Sequence, residues 1–176
     1  LPAVQKMLGH STPHLTSAHV SFSHEDIQQV TKTYMEREAS RQTSARNAFF
    51  GKIAKIQRGD IQSRLTLMTL SGQEVAAVIT NHSLDSLGLK RGRLVTAEVK
   101  APWVILHQSE EGPRCSAANR FSGVIERINS GQVNTEFTLR LEGGSTLCAI
   151  TCTASAQRLD FSPGDRAWAV FTSYAV

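Results

Sequence analysis

The nonapeptide TSARNAFFG at residues 43–51 returns 72 residues later as CSAANRFSG at 115–123. Shifted by that interval, Ser44–Val104 lies on Ser116–Val176 without a gap, and 17 of the 61 aligned positions are identical. A repeat of this length constrains the fold more than composition can, because each copy must be a structural unit and the two units must share one architecture. Gly51/Gly123, Gly59/Gly131, Gly72/Gly144 and Gly92/Gly164 coincide. Their coincidence predicts matching turns, since glycine adopts positive φ without strain.

Inside each copy the pattern is that of strands. GKIAKIQRG and GVIERINSG alternate apolar and polar residues and end in glycine, while RLTLMTLSGQEVAAVIT and FTLRLEGGSTLCAIT each read as two strands joined by a tight turn. SLDSLGLKRG predicts a short helical turn closed by glycine, and RLVTAEVKAPWVIL the last strands. Five short strands and a helical turn per copy fit a small OB-like barrel, which protects its edges by closing. The expected fold class is therefore mainly β: two tandem OB-like five-stranded barrels with a short α-helical segment at the N-terminus. The expected boundaries are 1–40 for that segment, 41–107 for the first unit and 114–176 for the second, with a short polar link between the units. In the first region, LPAVQKMLGHS predicts a helix ended by Gly9. SHEDIQQVTKTYMEREASRQ predicts another, with a serine cap, Glu25 and Asp26 in its first turn, and Ile27, Val30 and Tyr34 at helical spacing.

The chain of 176 residues has a net charge of +4, and the excess is local. Residues 48–106 hold eight Lys/Arg against four Asp/Glu, whereas residues 107–176 hold six against seven. Such a balance is too small for a nucleic-acid footprint and suits a small anion. No apolar run reaches membrane-span length and no signal peptide is visible, which excludes a membrane partner at this level. Leu1 is not a methionine, so the chain is expected to be part of a longer product or a trimmed form of one. Cys115, Cys148 and Cys152 show neither metal-ligand spacing nor a disulfide framework, which implies a reducing cytoplasm. Cys148 and Cys152 read as buried small apolar residues.

The first copy carries Ser44, Arg46, Thr80, Ser83 and Lys100, all hydrogen-bond donors. A tetrahedral dianion offers only acceptor oxygens, and it needs converging donors with about two positive charges to offset its desolvation. NHSLDSLG also opens a helical turn whose free N–H groups favour an anion. Lys100 and Arg46 also read as solvated surface charges, and composition alone favours that reading.

SARNxxxG, ITxxSxxxLGLxxG and KAPWV, in this order and spacing, resemble the Mop (TOBE) module of molybdate-binding proteins. Their tandem arrangement over residues 43–176 is similar to the di-Mop half of ModE-type molybdate-responsive transcription regulators. The resemblance implies an oxyanion site at an interface between Mop units. Ser44, Ala45 and Arg46 would come from one unit, and Thr80, Ser83 and Lys100 from another. It implies molybdate or tungstate as the bound oxyanion, homodimers or higher homo-oligomers formed through the Mop units, DNA as the partner of the whole regulator, a cytoplasmic location and no enzymatic activity. In the second copy the corresponding positions are Ser116, Ala118, Cys152, Ser155 and Thr172. Both cations are missing there, so the second unit is expected to serve as scaffold and assembly surface.

VQKMLGHSTPHLTSAHVS, within residues 3–32, resembles the end of a tyrosine recombinase catalytic domain. The position of that family's nucleophile holds His19, and Tyr34 lies 24 residues past His10. Imidazole cannot form the phosphotyrosyl intermediate, so an integrase-like remnant reused for DNA binding is expected, without strand cleavage. His10, His14, His19 and His24 match no single helix face and are not expected to bind metal. The reading is a cytoplasmic oxyanion sensor of a DNA-binding regulator. Its alternatives are a molybdate storage protein without DNA binding, an OB-fold nucleic-acid binder, against which the aromatic content of 6% speaks, and a residual recombinase.

Overall fold

The computed structural model describes residues 20–40 and 46–176, with the backbone alone described at 37–40 and 46. The expected helix before Gly9, the recombinase-like stretch up to His19, and Ser44 and Ala45 lie outside the described residues.

Helix α1 (His24–Ser40) starts where the serine cap predicts. The Asp26 amide donates to Ser23 Oγ at 3.1 Å and the Ser23 amide donates to the Asp26 carboxylate at 3.0 Å, a reciprocal capping pair. The apolar stripe of α1 packs Val30, Ile27 and Tyr34 against Phe50 and Leu70 of the first unit. Lys52 joins the seam by an ion pair with Asp26 and by standing 5.5 Å over the Phe22 ring.

The first repeat forms β1 (Arg46–Arg58), β2 (Gln62–Thr69), β3 (Glu74–Thr80), α2 (Asn81–Ser86), β4 (Leu94–Lys100), a 3₁₀ turn at Ala101–Trp103 and β5 (Ile105–His107). The second forms β6 (Asn119–Ser130), β7 (Asn134–Leu141), β8 (Thr146–Cys152), α3 (Thr153–Leu159), β9 (Arg166–Phe171) and a 3₁₀ turn at Ser173–Ala175. All pairings are antiparallel, in the orders β3-β2-β1-β4 and β5-β9-β6-β7-β8. The fold is thus two curled sheets in tandem, mainly β and OB-like. One detail departs from two equal five-stranded barrels. β5 belongs to the first repeat by sequence, yet its residues Ile105–His107 pair with Val170–Trp168 of β9, so the first unit completes the sheet of the second. A boundary at 107 therefore separates the sequence repeats but cuts between hydrogen-bonded strands. Among the described residues no helix is long and apolar enough to cross a membrane.

The expectation of matching turns holds for three of the four glycine pairs: the Gly59 and Gly131 amides close equivalent turns by donating to the Gln62 and Asn134 carbonyls at 3.0 and 2.8 Å, without positive φ. Gly72, Gly144, Gly92 and Gly164 have φ of 81°, 90°, 86° and 95°. Gly51 and Gly123 lie in strands instead, where a Cβ would meet the Met68 carbonyl oxygen at 2.2 Å and the Arg140 carbonyl oxygen at 2.8 Å. There the missing side chain permits close approach of backbones rather than a turn.

The two units share one core. Phe49 and Phe121, the same position in the two repeats, stack at 5.7 Å between centroids, and Phe171 lies 6.0 and 5.7 Å from them. Around this pseudo-twofold centre the polar contacts repeat. Asn47 donates to the Cys148 carbonyl at 2.8 Å and accepts from the Cys148 amide at 2.7 Å. Asn119 does the same to Ala76, at 2.9 and 2.7 Å. Ala76 and Cys148 lie in β3 and β8, edge strands of their sheets. Each asparagine therefore satisfies outward backbone groups that would be stranded in the seam.

Candidate functional site

Thr80 ends β3 and caps α2: its Oγ1 accepts from the Ser83 amide at 3.1 Å and donates to Ser83 Oγ at 2.9 Å. The corner is held from below by Asn81. Its amide donates to the Ile61 carbonyl at 2.8 Å, its side-chain nitrogen donates to the Gly59 carbonyl at 2.9 Å, and its side-chain oxygen accepts from Ser63 Oγ at 2.6 Å. Arg58 adds a two-pronged contact to Asp85 at 2.9 and 3.0 Å. That hydrogen bonding raises the Arg58 pKa and lowers that of Asp85, but both groups are exposed, so the pair orients the helix more than it stabilises it. The two hydroxyls are thus fixed relative to each other and to the β1–β2 turn.

Lys100 ends β4 and is exposed. In the β1–β4 ladder its Cα partner is Arg46. Antiparallel pairing returns the end of β4 to the start of β1, away from Thr80 and Ser83 at the end of β3 of the same unit. Thr80 pairs with Gln62 and Ser63 pairs with Arg58, so the hydroxyl corner stands beside the far end of β1. Twelve residue steps of strand, roughly 40 Å of contour, separate the two ends. Within one unit, Lys100 and the Thr80–Ser83 corner therefore stand at opposite ends of β1.

Within the chain, the elements beside these ends face the other repeat. The Ala101–Trp103 turn that follows Lys100 lies against β8, the strand that leads through Cys152 into α3. Reciprocally, the Ser173–Ala175 turn that follows Thr172 lies against β3, which leads into Thr80. Cys152 is not buried as expected. It is exposed and caps α3, with Sγ 3.1 Å from Ser155 Oγ, a contact that with the helix-start amide lowers its pKa. Cys148 is buried in the seam. Ser116 and Thr172 are exposed, as is Ser155 in part.

Among the described residues no group of three or more His, Cys, Asp or Glu is placed to hold a metal. The residues missed in the sequence are Asn47, Asn81 and Asn119. Two of them carried a signal, since Asn47 and Asn119 are the asparagine that both nonapeptides retain.

The TOBE domain family model matches residues 43–106 and again 115–176. The molybdenum transport protein ModE of Herbaspirillum seropedicae is 34% identical over 140 residues, 80% of this chain and 52% of that protein. The DNA-binding transcriptional dual regulator ModE of Escherichia coli (strain K12) is 37% identical over 111 residues, 62% of this chain and 42% of that protein. The chain spans about half the length of the curated relatives it matches. A crystal structure of the cytoplasmic molybdate-binding protein ModG, with molybdate bound, aligns with a TM-score of 0.72 at 36% identity, over 77% of this chain and 96% of that one. Two family matches in tandem, one on each repeat and each built on the same curled sheet, mean that the chain belongs to the TOBE domain family.

Proposed function

We propose that this chain is the sensor part of a cytoplasmic, non-enzymatic regulator that binds molybdate or tungstate. The ligand would lie between Ser44, Ala45, Arg46 and Lys100 of one copy and Thr80 and Ser83 of a second copy. The single observation that carries this reading is the ladder register that sets Arg46 opposite Lys100. Two basic residue types at one backbone station suit a tetrahedral dianion, which needs about two positive charges to offset its desolvation. The internal seam joins unit 1 only to unit 2, so cations and hydroxyl corner of unit 1 meet only across two chains. Oxyanion binding then favours the dimer through its differential affinity for that state, and the dimer transmits the signal to DNA through an integrase-like part. A buffering role without DNA binding is the second reading. It is favoured by the ModG likeness, in which this chain covers nearly the whole of the other protein.

Calorimetry with molybdate, tungstate and sulfate tests the site. Tight binding of the two larger oxyanions with weak sulfate heats is expected, because donors spaced for a larger anion cannot all reach a smaller one. Equal heats for all three would refute it. Oxyanion-dependent gel shifts of the full regulator separate sensing from buffering.

A further inference from the structure

We propose that the solvent-facing side of the first sheet carries a second anion site, for a small molecule bearing two linked phosphates. A groove of about 660 Å³ lies there, bounded on one side by Ala118 and Asn119 of the second unit. Its floor is the ladder in which Lys55 pairs with Thr66 and Thr66 with Ala76, and Arg64 stands two residues from Thr66 on the same face. The register steps from Ile53–Leu67 to Lys55–Thr66, so Ala54 is the extra residue of a bulge. The turn carrying Arg91 is stapled beside that bulge: the Gly92 amide donates to the Ile53 carbonyl at 2.7 Å, and the Ile53 amide donates to the Arg93 carbonyl at 3.0 Å. Lys55, Arg64 and Arg91 thus surround one recess. None of them has a carboxylate partner among the described residues. Glu74 is the only acid in the lining, so three cations against one carboxylate leave a charge of +2.

The second repeat provides an internal control. At the matching positions Ala54 becomes Glu126, Arg64 becomes Glu136 and Arg91 becomes Pro163. Glu126 occupies the same bulge and pairs with Arg140 at 3.0 Å. Lys55 keeps its charge as Arg127, but two carboxylates now stand among the matching positions, so the surface is neutralised in unit 2 and cationic in unit 1. Two guanidinium forks and an ammonium suit two adjacent phosphates, each fork taking two oxygens. The volume falls in the range of about 300–1,000 Å³ typical of small-molecule sites, with room for an organic group beside the phosphates. A wall from the second unit makes it a recess rather than a track for a nucleic-acid backbone. Because one chain builds the whole groove, it needs no second copy and does not use Lys100.

The test is calorimetry with inorganic pyrophosphate and adenosine diphosphate, beside inorganic phosphate and a short random-sequence duplex. Pyrophosphate and adenosine diphosphate are expected to bind once per chain, at least tenfold more tightly than phosphate. Ala54→Glu and Arg64→Glu copy residues that the same fold accepts in the second unit, and each should weaken binding at least tenfold with an unchanged thermal melt. Lys100→Ala should leave this binding intact while it weakens molybdate binding ten- to a hundredfold, which separates the two sites. Absence of diphosphate binding at millimolar concentration, or equal binding by both variants, would overturn the proposal. Displacement by the duplex would also overturn it, in favour of a nucleic-acid surface.

Discussion

Asn119→Ala removes the clamp between the two units on the β3 side. Two hydrogen bonds of 2.7 and 2.9 Å are lost, and both backbone groups of Ala76 lose their partner. Asn119 is 2% exposed and Ala76 7%, so water does not readily replace the side chain. A stranded buried backbone group costs about 1–3 kcal/mol, which puts the loss at roughly 2–5 kcal/mol. For a domain of this size that lowers Tm by about 5–15 °C. Urea unfolding followed by circular dichroism measures it, with the m-value checked to confirm that two-state behaviour persists. Asn119→Asp sharpens the test. Its carboxylate accepts from the Ala76 amide but opposes the Ala76 carbonyl, which raises the folded-state pKa above the unfolded value of about 3.9. The protonated acid can donate to that carbonyl. Its stabilising contribution is therefore fully present below the unfolded pKa and lost as pH rises through the folded one. Asn119→Asp should approach wild type in acid and resemble Asn119→Ala at neutral pH, both compared with wild type at the same pH. A loss under about 0.5 kcal/mol for Asn119→Ala, with no pH dependence in Asn119→Asp, would show that the clamp does not hold the units together. Asn47→Ala should cost a similar amount and also weaken oxyanion binding, since it releases the residue beside Arg46.

Lys100→Ala should weaken molybdate binding ten- to a hundredfold, the worth of a charge-assisted contact of about 1.5–3 kcal/mol, whereas Thr172→Ala at the matching position should do little in calorimetry. Gly51→Ala should destabilise by at least about 2 kcal/mol and by more than Gly123→Ala in thermal melts, because its Cβ would meet backbone at 2.2 Å against 2.8 Å. The Asp26 carboxyl is held below its ordinary 3.8: burial opposes the charge, but the hydrogen bonds from Lys52 and Ser23 outweigh it. Its contribution to docking α1 is therefore present above the unfolded pKa and lost as pH falls below about 4 through the folded value. Hydrogen exchange in α1 should accelerate in that window, and Asp26→Asn should remove the pH dependence.

The repeat made the architecture legible before any coordinates, because a strand is written in alternation and a tight turn in glycine, both local properties. The alternation in GKIAKIQRG and the Ser-Gly and Gly-Gly turns located β1 to β3 and β6 to β8. The loss of Arg46 and Lys100 from the second copy pointed to the first as the carrier of the proposed site. Local signals could not say which glycines serve turns and which serve close strand contact, since Gly51 is required by a carbonyl from another strand. Nor could they group the site. Lys100 and Arg46 are 54 positions apart, and only the β1–β4 register sets them opposite while sending Thr80 to the other end of β1. The exchange of β5 into the second sheet was equally invisible, because a three-residue strand carries the same pattern whichever sheet it joins. Sequence determined the two units and the donors they hold, since both depend on residue types and their spacing. Tertiary structure decided which donors share a place, because register and the seam around Phe49 and Phe121 bring together residues that the chain keeps far apart.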